Sequence, residues 1–202
     1  MITISKIYMA LCLRFWFYLN KKRFINLGFK SIIKKPLILT PNCISIGKNV
    51  FVQPNSRIEG IYSYEGVIFS PKIVIADNCT IQQNLHLTCG ESVYIGTNTA
   101  IAANVTITDI THPYENIHLP IEKQQIITNP VYIGDDCKIY NNVVILPGTN
   151  IGKHCTIGAN SVVNGSFSDY CVIVGIPSKI IKRYCFDSNK WKKTEPNGNF
   201  IN

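Results

Sequence analysis

Residues 133–168 read IGDDCKIYNNVVILPGTNIGKHCTIGANSVVNGSFS, and an aliphatic residue opens every group of six. Gly, Asn or Asp follows within each hexad, and these residues tolerate the left-handed backbone that a tight corner requires. Three such hexads, each a short strand and a corner, would complete one triangular coil. Stacked coils would satisfy each other's backbone groups and bury a shared core. The stretch therefore predicts an all-β solenoid.

The same six-residue period appears earlier in the chain and is interrupted once. Hexads open at Ile46, Val52, Ile75, Ile81, Leu87, Ile95, Ile101 and Ile107. The period stops at His112-Pro113 and resumes near Val131. We therefore expect an N-terminal segment over 1–41, a solenoid domain over 42–184 with an excursion loop at 109–130, and a polar C-terminal tail over 185–202.

The positive charge is concentrated at one end of the chain. Of the 20 basic residues, eight lie in 1–35, and the remaining 12 are balanced by 12 acidic residues. This argues against a nucleic-acid surface spread over the fold. Segment 4–19 is apolar and aromatic but contains Lys6 and Arg14, so neither a membrane span nor a signal peptide is favoured. Two alternatives remain for this segment. It is a helix on a membrane surface, in which case residues 1–35 contact the lipid, or it is a helix packed on the main domain.

The eight cysteines form no C-x-x-C pair and no cluster at zinc spacing. Cys79, Cys137 and Cys155 occupy equivalent repeat positions where other repeats have Val, Thr or Ser. We expect small buried thiols in a reducing compartment, with no disulfides and no metal.

Three stretches resemble one known family. They are IGTNTAIAANVTITDITHP (95–113), PVYIGDDCKIYNNVVILPGTNIGKHCTIGANSVV (130–163) and VGIPSKIIKR (174–183). They are similar to the hexapeptide-repeat acyltransferases, and in particular to sugar O-acetyltransferases such as the galactoside, maltose and capsular polysaccharide enzymes. The likeness is close over 93–184, generic over 42–92 and absent over 1–41. It implies a left-handed parallel β-helix with a short N-terminal helical segment and a C-terminal cap.

His112 is the candidate general base. It closes the hexad begun at Ile107, and Pro113, which lacks a backbone donor, ends the strand there. The loop that follows is long enough to suggest a function. Transfer of an acyl group from a thioester to an alcohol needs a base with a near-neutral pKa. A lone histidine before proline could instead serve only to start a turn. The resemblance implies that His112 is the general base of a direct transfer.

Three other residues are candidates for acceptor binding: Asn84, Asp109 and Tyr140. Asp109 could orient the His112 ring or be a solvated loop acid, and Asn84 could be a turn residue. His86 also closes a hexad, but counting of faces places it on a different side from His112. His118 and His154 have no partner that the sequence identifies.

The resemblance implies acetyl-CoA as the donor, lying along a groove between subunits. The matching positions are Asn141, Ala159 and Asn164, and the lysines of GIPSKIIKR, Lys179 and Lys182, would lie near the nucleotide phosphates. Those lysines could alternatively be an ordinary basic cap. Two departures affect the cleft: Lys138 replaces a common Trp, and residues 164–166 are Asn-Gly-Ser in place of Thr-Lys-Asp.

We therefore expect a cytoplasmic, acetyl-CoA-dependent O-acetyltransferase acting on a sugar or glycan, with a possible place at the inner membrane face. Alternatives are an N-acetyltransferase of an amino-sugar precursor and an acyltransferase of a small molecule such as an antibiotic or serine. A non-catalytic scaffold would not need His112 or the loop, and a γ-class carbonic anhydrase would need three zinc histidines. A homotrimer is expected, with loop 109–130 reaching a neighbour and Tyr94, Ile110, Tyr132 and Val144 facing outward.

Overall fold

The computed structural model describes residues 11 and 14–201. In that part residues 14–20 are helical, and short 3₁₀ helices span Pro41–Cys43 and Ile121–Lys123. The strands, in chain order, are β1 Asn26–Leu27, β2 Ile32–Ile33, β3 Ile38–Leu39, β4 Ile44–Ile46, β5 Phe51–Val52, β6 Arg57–Gly60, β7 Ser63–Tyr64, β8 Val67–Ile68, β9 Lys72–Ile75, β10 Thr80–Ile81, β11 His86–Cys89, β12 Ser92–Ile95, β13 Ala100–Ile101, β14 Thr106–Thr108, β15 Ile110–Thr111, β16 Ile127–Thr128, β17 Val131–Ile133, β18 Lys138–Ile139, β19 Val144–Ile145, β20 Asn150–Ile151, β21 Thr156–Ile157, β22 Val162–Val163, β23 Ser166–Phe167, β24 Cys171–Gly175, β25 Ser178–Cys185 and β26 Lys190–Lys193.

Successive strands of the β-helix belong in turn to three parallel sheets, A, B and C. Sheet A has the order β1-β4-β9-β12-β17-β20-β23, sheet B the order β2-β5-β10-β13-β18-β21-β24-β25-β26, and sheet C the order β3-β6-β11-β14-β19-β22. Within the repeats every neighbour pair is parallel, so each coil adds one strand to each sheet. This is the topology of a three-sided parallel β-helix, as predicted, while its left-handed sense stays a prediction.

The first residue of each hexad points into the core. Ile133, Ile139 and Ile145 are fully buried, and so are their counterparts in neighbouring coils. At the corners, residues with positive φ make the turns, and their side-chain amides form a ladder between coils. Asn84 donates to Asn104 at 2.8 Å, as Asn104 does to Asn142 at 3.0 Å. The corner amides therefore tie successive coils together outside the apolar core.

The β-helix begins earlier than residue 42. Strands β1, β2 and β3 pair with the strands of the second coil, so the first coil starts at Asn26. Lys30 and Lys35 make its corners with φ of 63° and 37°, where later coils use mainly Asn. The predicted start of the solenoid at residue 42 was wrong. Corners were expected at Gly, Asn or Asp, and the first coil has lysines at these positions.

The C-terminal segment is a cap and a hairpin. Strand β25 runs antiparallel to β24 and extends to Cys185, and β26 pairs antiparallel with β25. The C-terminal cap is confirmed, but the boundary of a polar tail at 185 was wrong. The hairpin covers the last parallel strand of sheet B, which would otherwise expose an unpaired edge.

The N-terminal helix packs one side on the core and exposes the other. Trp16 and Phe17 contact the core cluster, whereas Phe15, Tyr18 and Leu19 are 67%, 66% and 61% exposed. None of the helices in the described residues has the length and apolar character needed to cross a bilayer. The first ten residues, and with them part of segment 4–19, lie outside the described residues.

Two excursions leave the β-helix at the corner that follows sheet C. Excursion 109–130 contains an antiparallel stem of β15 and β16, so it is more regular than a plain loop. The second excursion, 61–71, carries the antiparallel hairpin β7–β8 and was not predicted. Both follow a strand of sheet C, β14 and β6 respectively, and therefore leave the same edge of the molecule two coils apart.

The seven cysteines that the structure describes are free and buried, as predicted for small core thiols. Cys79, Cys137 and Cys155 each donate a weak hydrogen bond to a carbonyl of the next coil, at 3.0, 3.2 and 3.3 Å. Burial raises the pKa of Cys79 to about 11, and a hydrogen bond with Cys137, together with burial, raises the pKa of Cys155 to about 12. Cys79 and Cys155 are therefore protonated structural groups at neutral pH.

Candidate active site

A pocket lies where the two excursions meet at the edge of sheet C. Its volume is about 270 Å³. It is lined by Arg57, Ile61, Tyr64, Thr88, Thr108, Ile110, His112, Glu122 and Ile126. The strands of sheet C provide its floor, and the two excursions provide its walls.

The floor is polar and the walls are largely apolar. Thr88 and Thr108 lie side by side on β11 and β14, and the Thr88 hydroxyl donates to Thr108 Oγ1 at 2.9 Å. Side chains of Ile61, Ile110 and Ile126 line the walls. A pocket with hydroxyls on one side and aliphatic carbons on the other suits a ligand that has both kinds of surface.

His112 is exposed on the wall of this pocket. Its ring meets the ring of Tyr64 edge to face, with centroids 5.3 Å apart and an interplanar angle of 80°. The Tyr64 hydroxyl lies 2.8 Å from both Oε2 and the backbone oxygen of Glu122. Tyr64 therefore contacts two parts of excursion 109–130: its ring meets His112, and its hydroxyl binds Glu122.

The contact between the two excursions is reinforced by charge. Lys123 Nζ lies 3.1 Å from Glu65 Oε1, next to the Tyr64–Glu122 hydrogen bond. That hydrogen bond raises the pKa of Tyr64 above its usual value, so the hydroxyl stays protonated and able to donate through the neutral range. Hairpin β7–β8 and the 3₁₀ helix Ile121–Lys123 are thus joined beside the pocket by these contacts, which are called the latch below.

Asp109 is not an acceptor-binding residue. Its side chain is fully buried, and its carboxylate accepts backbone N–H bonds from Gly90 at 2.7 Å and from Glu91 and Ser92 at 2.8 Å. Cys89 Sγ lies 3.4 Å from the same carboxylate. The prediction that Asp109 contacts the acceptor or orients the ring was wrong, because backbone donors of the neighbouring coil converge on it.

His86 lies on the same face as His112, at its other edge. It opens β11, and β11 pairs with β14, the strand that leads to His112. The prediction of different faces was wrong, because His86, the last residue of the hexad begun at Ile81, is already the first residue of the next strand, β11 of sheet C. Burial, and then the nearby Arg57, lower the pKa of His86, although Glu59 opposes this. Arg57 itself is bound to Glu59, with Nε 2.6 Å from Oε2.

The predicted donor-binding residues occupy two edges of sheet C and the cap. Asn141 and Ala159 are exposed and adjacent at the corner between sheets B and C, where Asn160 N donates to Asn141 O at 3.0 Å. Asn164 follows β22 at the opposite edge. Lys179 and Lys182 are exposed on β25, and neither is in an ion pair with any described residue.

The other predicted residues do not line the pocket around His112. Asn84 belongs to the corner ladder, and Tyr140 is 44% exposed with Lys138 Nζ 5.4 Å from its ring centroid. His118 is exposed in the excursion, and His154 lies 5.5 Å from the ring of Tyr170.

Tyr64, Glu122, Thr88 and Thr108 were missed by the sequence analysis. The outward threonines follow from strand alternation once the sheet is known. The hairpin that carries Tyr64 had one weak signal, Gly66 between β-forming residues, because the first turn position holds Glu65 where such turns prefer Asn, Asp or Gly. The structure gives both residues positive φ, 42° and 80°.

Within residues 14–201, three or more His, Cys, Asp or Glu side chains nowhere come together as a metal-binding group.

Comparisons with known proteins agree on one kind of relative. The family described as bacterial transferase hexapeptide (six repeats) matches residues 130–165. The Escherichia coli protein WbbJ, assigned as a lipopolysaccharide biosynthesis O-acetyl transferase, is 35% identical over 80% of this chain and 83% of its own length. Galactoside O-acetyltransferase of Escherichia coli is 30% identical over 75% of this chain and 70% of its own.

Solved structures share the fold. A galactoside acetyltransferase in complex with coenzyme A has a TM-score of 0.59 at 26% identity, covering 78% of this chain and 72% of its own. A mutant of AntD, an N-acyltransferase from Bacillus cereus, in complex with dTDP and coenzyme A has a TM-score of 0.67 at 23% identity, covering 85% of this chain and 90% of its own.

Proposed function

Because the chain belongs to the hexapeptide-repeat transferases and is an acetyltransferase that uses acetyl-CoA, we propose that it acetylates a hydroxyl group of a sugar or glycan. The observation that carries the proposal is the exposed His112 on the wall of an amphipathic pocket. Pyranose rings present hydroxyls and apolar C–H faces together, which matches threonines on the floor and isoleucines on the walls.

His112 is the general base of a direct transfer. Its imidazole takes the proton of the acceptor hydroxyl as that oxygen attacks the thioester carbonyl. The new C–O bond forms, the C–S bond breaks, and the proton passes from the imidazolium to the departing thiolate, so CoA leaves as the thiol. No covalent acyl-enzyme is required, and the buried thiols of Cys79 and Cys155, with their raised pKa values, are unsuited to be nucleophiles.

Acetyl-CoA would be held by the upper coils and the cap. Asn141, Ala159 and Asn164 present exposed, small or amide-bearing positions beside sheet C, and Lys179 and Lys182 are cations with no acidic partner among the described residues. These lysines would form charge-assisted hydrogen bonds with the nucleotide phosphates.

We also propose a homotrimer of left-handed β-helices in which excursion 109–130 reaches a neighbouring subunit. Large apolar side chains of this excursion are exposed in the single chain: Tyr114 69%, Ile117 86%, Leu119 49% and Ile121 50%. Of the four residues predicted to face outward, Tyr132 is 46% exposed and stacks on Tyr94 at 5.0 Å, whereas Ile110 lines the pocket. Closed symmetry would bury such surfaces without open-ended growth.

The test of the reaction is a comparison of two histidine variants of the same loop. Purified protein with acetyl-CoA and a panel of glycans, nucleotide sugars and amino sugars should release free thiol in the presence of one acceptor class. His112→Ala should lower kcat by about two to four orders of magnitude with unchanged acetyl-CoA binding. His118→Ala should remain active. Most activity retained in His112→Ala would exclude this base, and transfer only to amino groups would establish N-acetylation instead.

A location in the cytoplasm, at the inner membrane face, completes the proposal. The exposed Phe15, Tyr18 and Leu19 next to a basic segment are typical of a helix that lies in an anionic interface. Replacing all three by Ser should abolish sedimentation with phosphatidylserine vesicles, whereas Phe186→Ser, equally exposed at the other end at 63%, should have no effect. Equal vesicle binding by both variants would reject the membrane role of the helix.

A further inference from the structure

A second depression lies on sheet C beside the His112 pocket. Its volume is about 330 Å³. It is lined by Leu37, Ile38, Asn55, Arg57, Asn84, Leu85 and His86. Arg57 lines both depressions, so they adjoin at this side chain; together they are called the groove below.

The two depressions are offset along the strands of one sheet. His86 lines the second depression and Thr88, two residues further along β11, lines the first. A strand rises about 3.3 Å per residue, so these two positions are roughly 7 Å apart. This offset is comparable with the spacing of neighbouring rings in an oligosaccharide chain.

The lining of the second depression is again amphipathic. Leu37 and Ile38 are 71% and 40% exposed there, which provides an apolar surface for the C–H face of a ring. His86 has a lowered pKa and is neutral at pH 7, so its imidazole can both donate to and accept from hydroxyls. Like the first pocket, the second depression therefore presents a neutral sugar with both an apolar surface and hydrogen-bonding groups.

The charge of the groove argues against a nucleotide-linked acceptor. Arg57 is the one cationic side chain among the described residues that line the two depressions, and Glu59 already neutralises it. A diphosphate lying in the second depression would face no free positive charge from the residues of this chain that line it, and desolvation of its phosphates would go uncompensated there. A neutral second sugar carries no such cost.

We propose that the second depression binds the sugar next to the one acetylated, so that the acceptor is an oligosaccharide or glycan chain and not a nucleotide-activated monosaccharide. The proposal rests on the proposed sugar O-acetylation. It assigns Leu37, Ile38, His86 and the corner around Asn84 to the second sugar alone, and not to the sugar that is acetylated.

The experiment measures kcat/KM at saturating acetyl-CoA for matched acceptors of increasing length. The probes are methyl galactoside, galactobiose and galactotriose, the corresponding glucose and N-acetylglucosamine series, and UDP-galactose, UDP-glucose and UDP-N-acetylglucosamine. In the series that is acetylated, the disaccharide should exceed the methyl glycoside by about tenfold in kcat/KM, as expected for one added hydrogen bond and an apolar contact. UDP-sugars should not exceed the methyl glycoside.

Two variants localise the gain. Leu37→Ser and His86→Ala should each remove most of the advantage of the disaccharide and leave the methyl glycoside within about twofold of the wild type. Thr80→Ala changes an exposed strand residue of the same coil on sheet B and should leave the advantage unchanged. Melting temperatures of the three variants control for misfolding.

The outcomes separate this inference from the proposed function. Equal kcat/KM for the methyl glycoside and the disaccharide, equal losses for both acceptors in His86→Ala, or a preference for UDP-sugars would overturn the second subsite while sugar acetylation stands. Thiol release with none of these sugars, but with another acceptor, would overturn the proposed function and the subsite with it.

Discussion

At the scale of single residues, Asp109 shows how an acid beside a catalytic loop can act only through structure. Three backbone N–H groups of the preceding coil converge on its buried carboxylate. The residue that follows it, Ile110, opens the stem that leads to His112. Asp109 therefore fixes the corner from which excursion 109–130 departs, and it supports the position of the proposed base, His112, from within the fold.

Asp109→Asn should destabilise the protein by about 3 kcal/mol. Whichever way the amide is oriented, its NH₂ group faces at least one backbone N–H, and an unsatisfied buried donor costs about 1–3 kcal/mol in addition to the lost charge-assisted bonds. The melting temperature should fall by about 6–12 °C.

Asp77→Asn is the matched control for that measurement. Asp77 accepts a single N–H, from Lys48 at 2.7 Å at an exposed corner, and an amide oxygen can replace its carboxylate oxygen there. Its melting temperature should change by less than about 3 °C. Similar losses in the two variants would show that the carboxylate of Asp109 has no special structural role.

At the scale of elements, the pocket depends on two hairpins that are far apart in sequence. Hairpin β7–β8 and excursion 109–130 meet through the Tyr64–Glu122 hydrogen bond, the Lys123–Glu65 ion pair and the contact of Tyr64 with His112. The exposed ion pair contributes little to stability. The tyrosine is therefore the part of the latch with most influence on the geometry of the acceptor pocket.

Tyr64→Phe should raise the KM for the acceptor about 3- to 10-fold, because it removes the hydrogen bond to Glu122 but keeps the ring against His112. The KM for acetyl-CoA and the melting temperature should hardly change. Tyr114→Phe, a change in an exposed tyrosine of the same excursion, is the control and should behave like the wild type. An unchanged acceptor KM in Tyr64→Phe would mean that the latch does not shape the pocket.

The sequence predicts those parts of the fold that the six-residue repeat encodes. The hexads from Ile133 onward are read directly, because each coil repeats the same inward position. The first coil was missed, since Lys30 and Lys35 occupy its corners. In the site, His112 was recognisable as the residue at which the period stops. The contact of Tyr64 with His112 joins two irregular segments, and no local pattern encodes such a pairing.

At the scale of the whole molecule, each coil pairs with the coils next to it, while the residues proposed to bind donor and acceptor are spread along several coils. His112 leaves the fourth coil, whereas Lys179 and Lys182 lie on the cap beyond the last one. In the proposed trimer, the base of one subunit would face the lysine cap of its neighbour. Every active site would then need two chains.

Mixed trimers test this arrangement. Subunits with His112→Ala and subunits with Lys179→Ala and Lys182→Ala should each be nearly inactive at low acetyl-CoA concentration. Assembled together in equal amounts, they should regain about one quarter of the wild-type activity, because random assembly places an intact base opposite intact lysines at that frequency. Point changes are preferable to truncation after Gly175, since β25 covers the edge of sheet B. Two results would place the site in one chain: a fully active protein that light scattering shows to be a monomer, or verified mixed trimers that regain no activity.

The buried cysteines of the coils also make the order of unfolding measurable without any added label. An alkylating reagent needs access to the thiol sulfur, and a buried core thiol gives no access until its coil separates from its neighbours. Cys43 lies near one end of the stack, Cys137 in the middle and Cys171 near the other end. Because a linear stack frays from its ends, the relative rates of thiol modification at these three positions rank the local stability of the coils in the native protein.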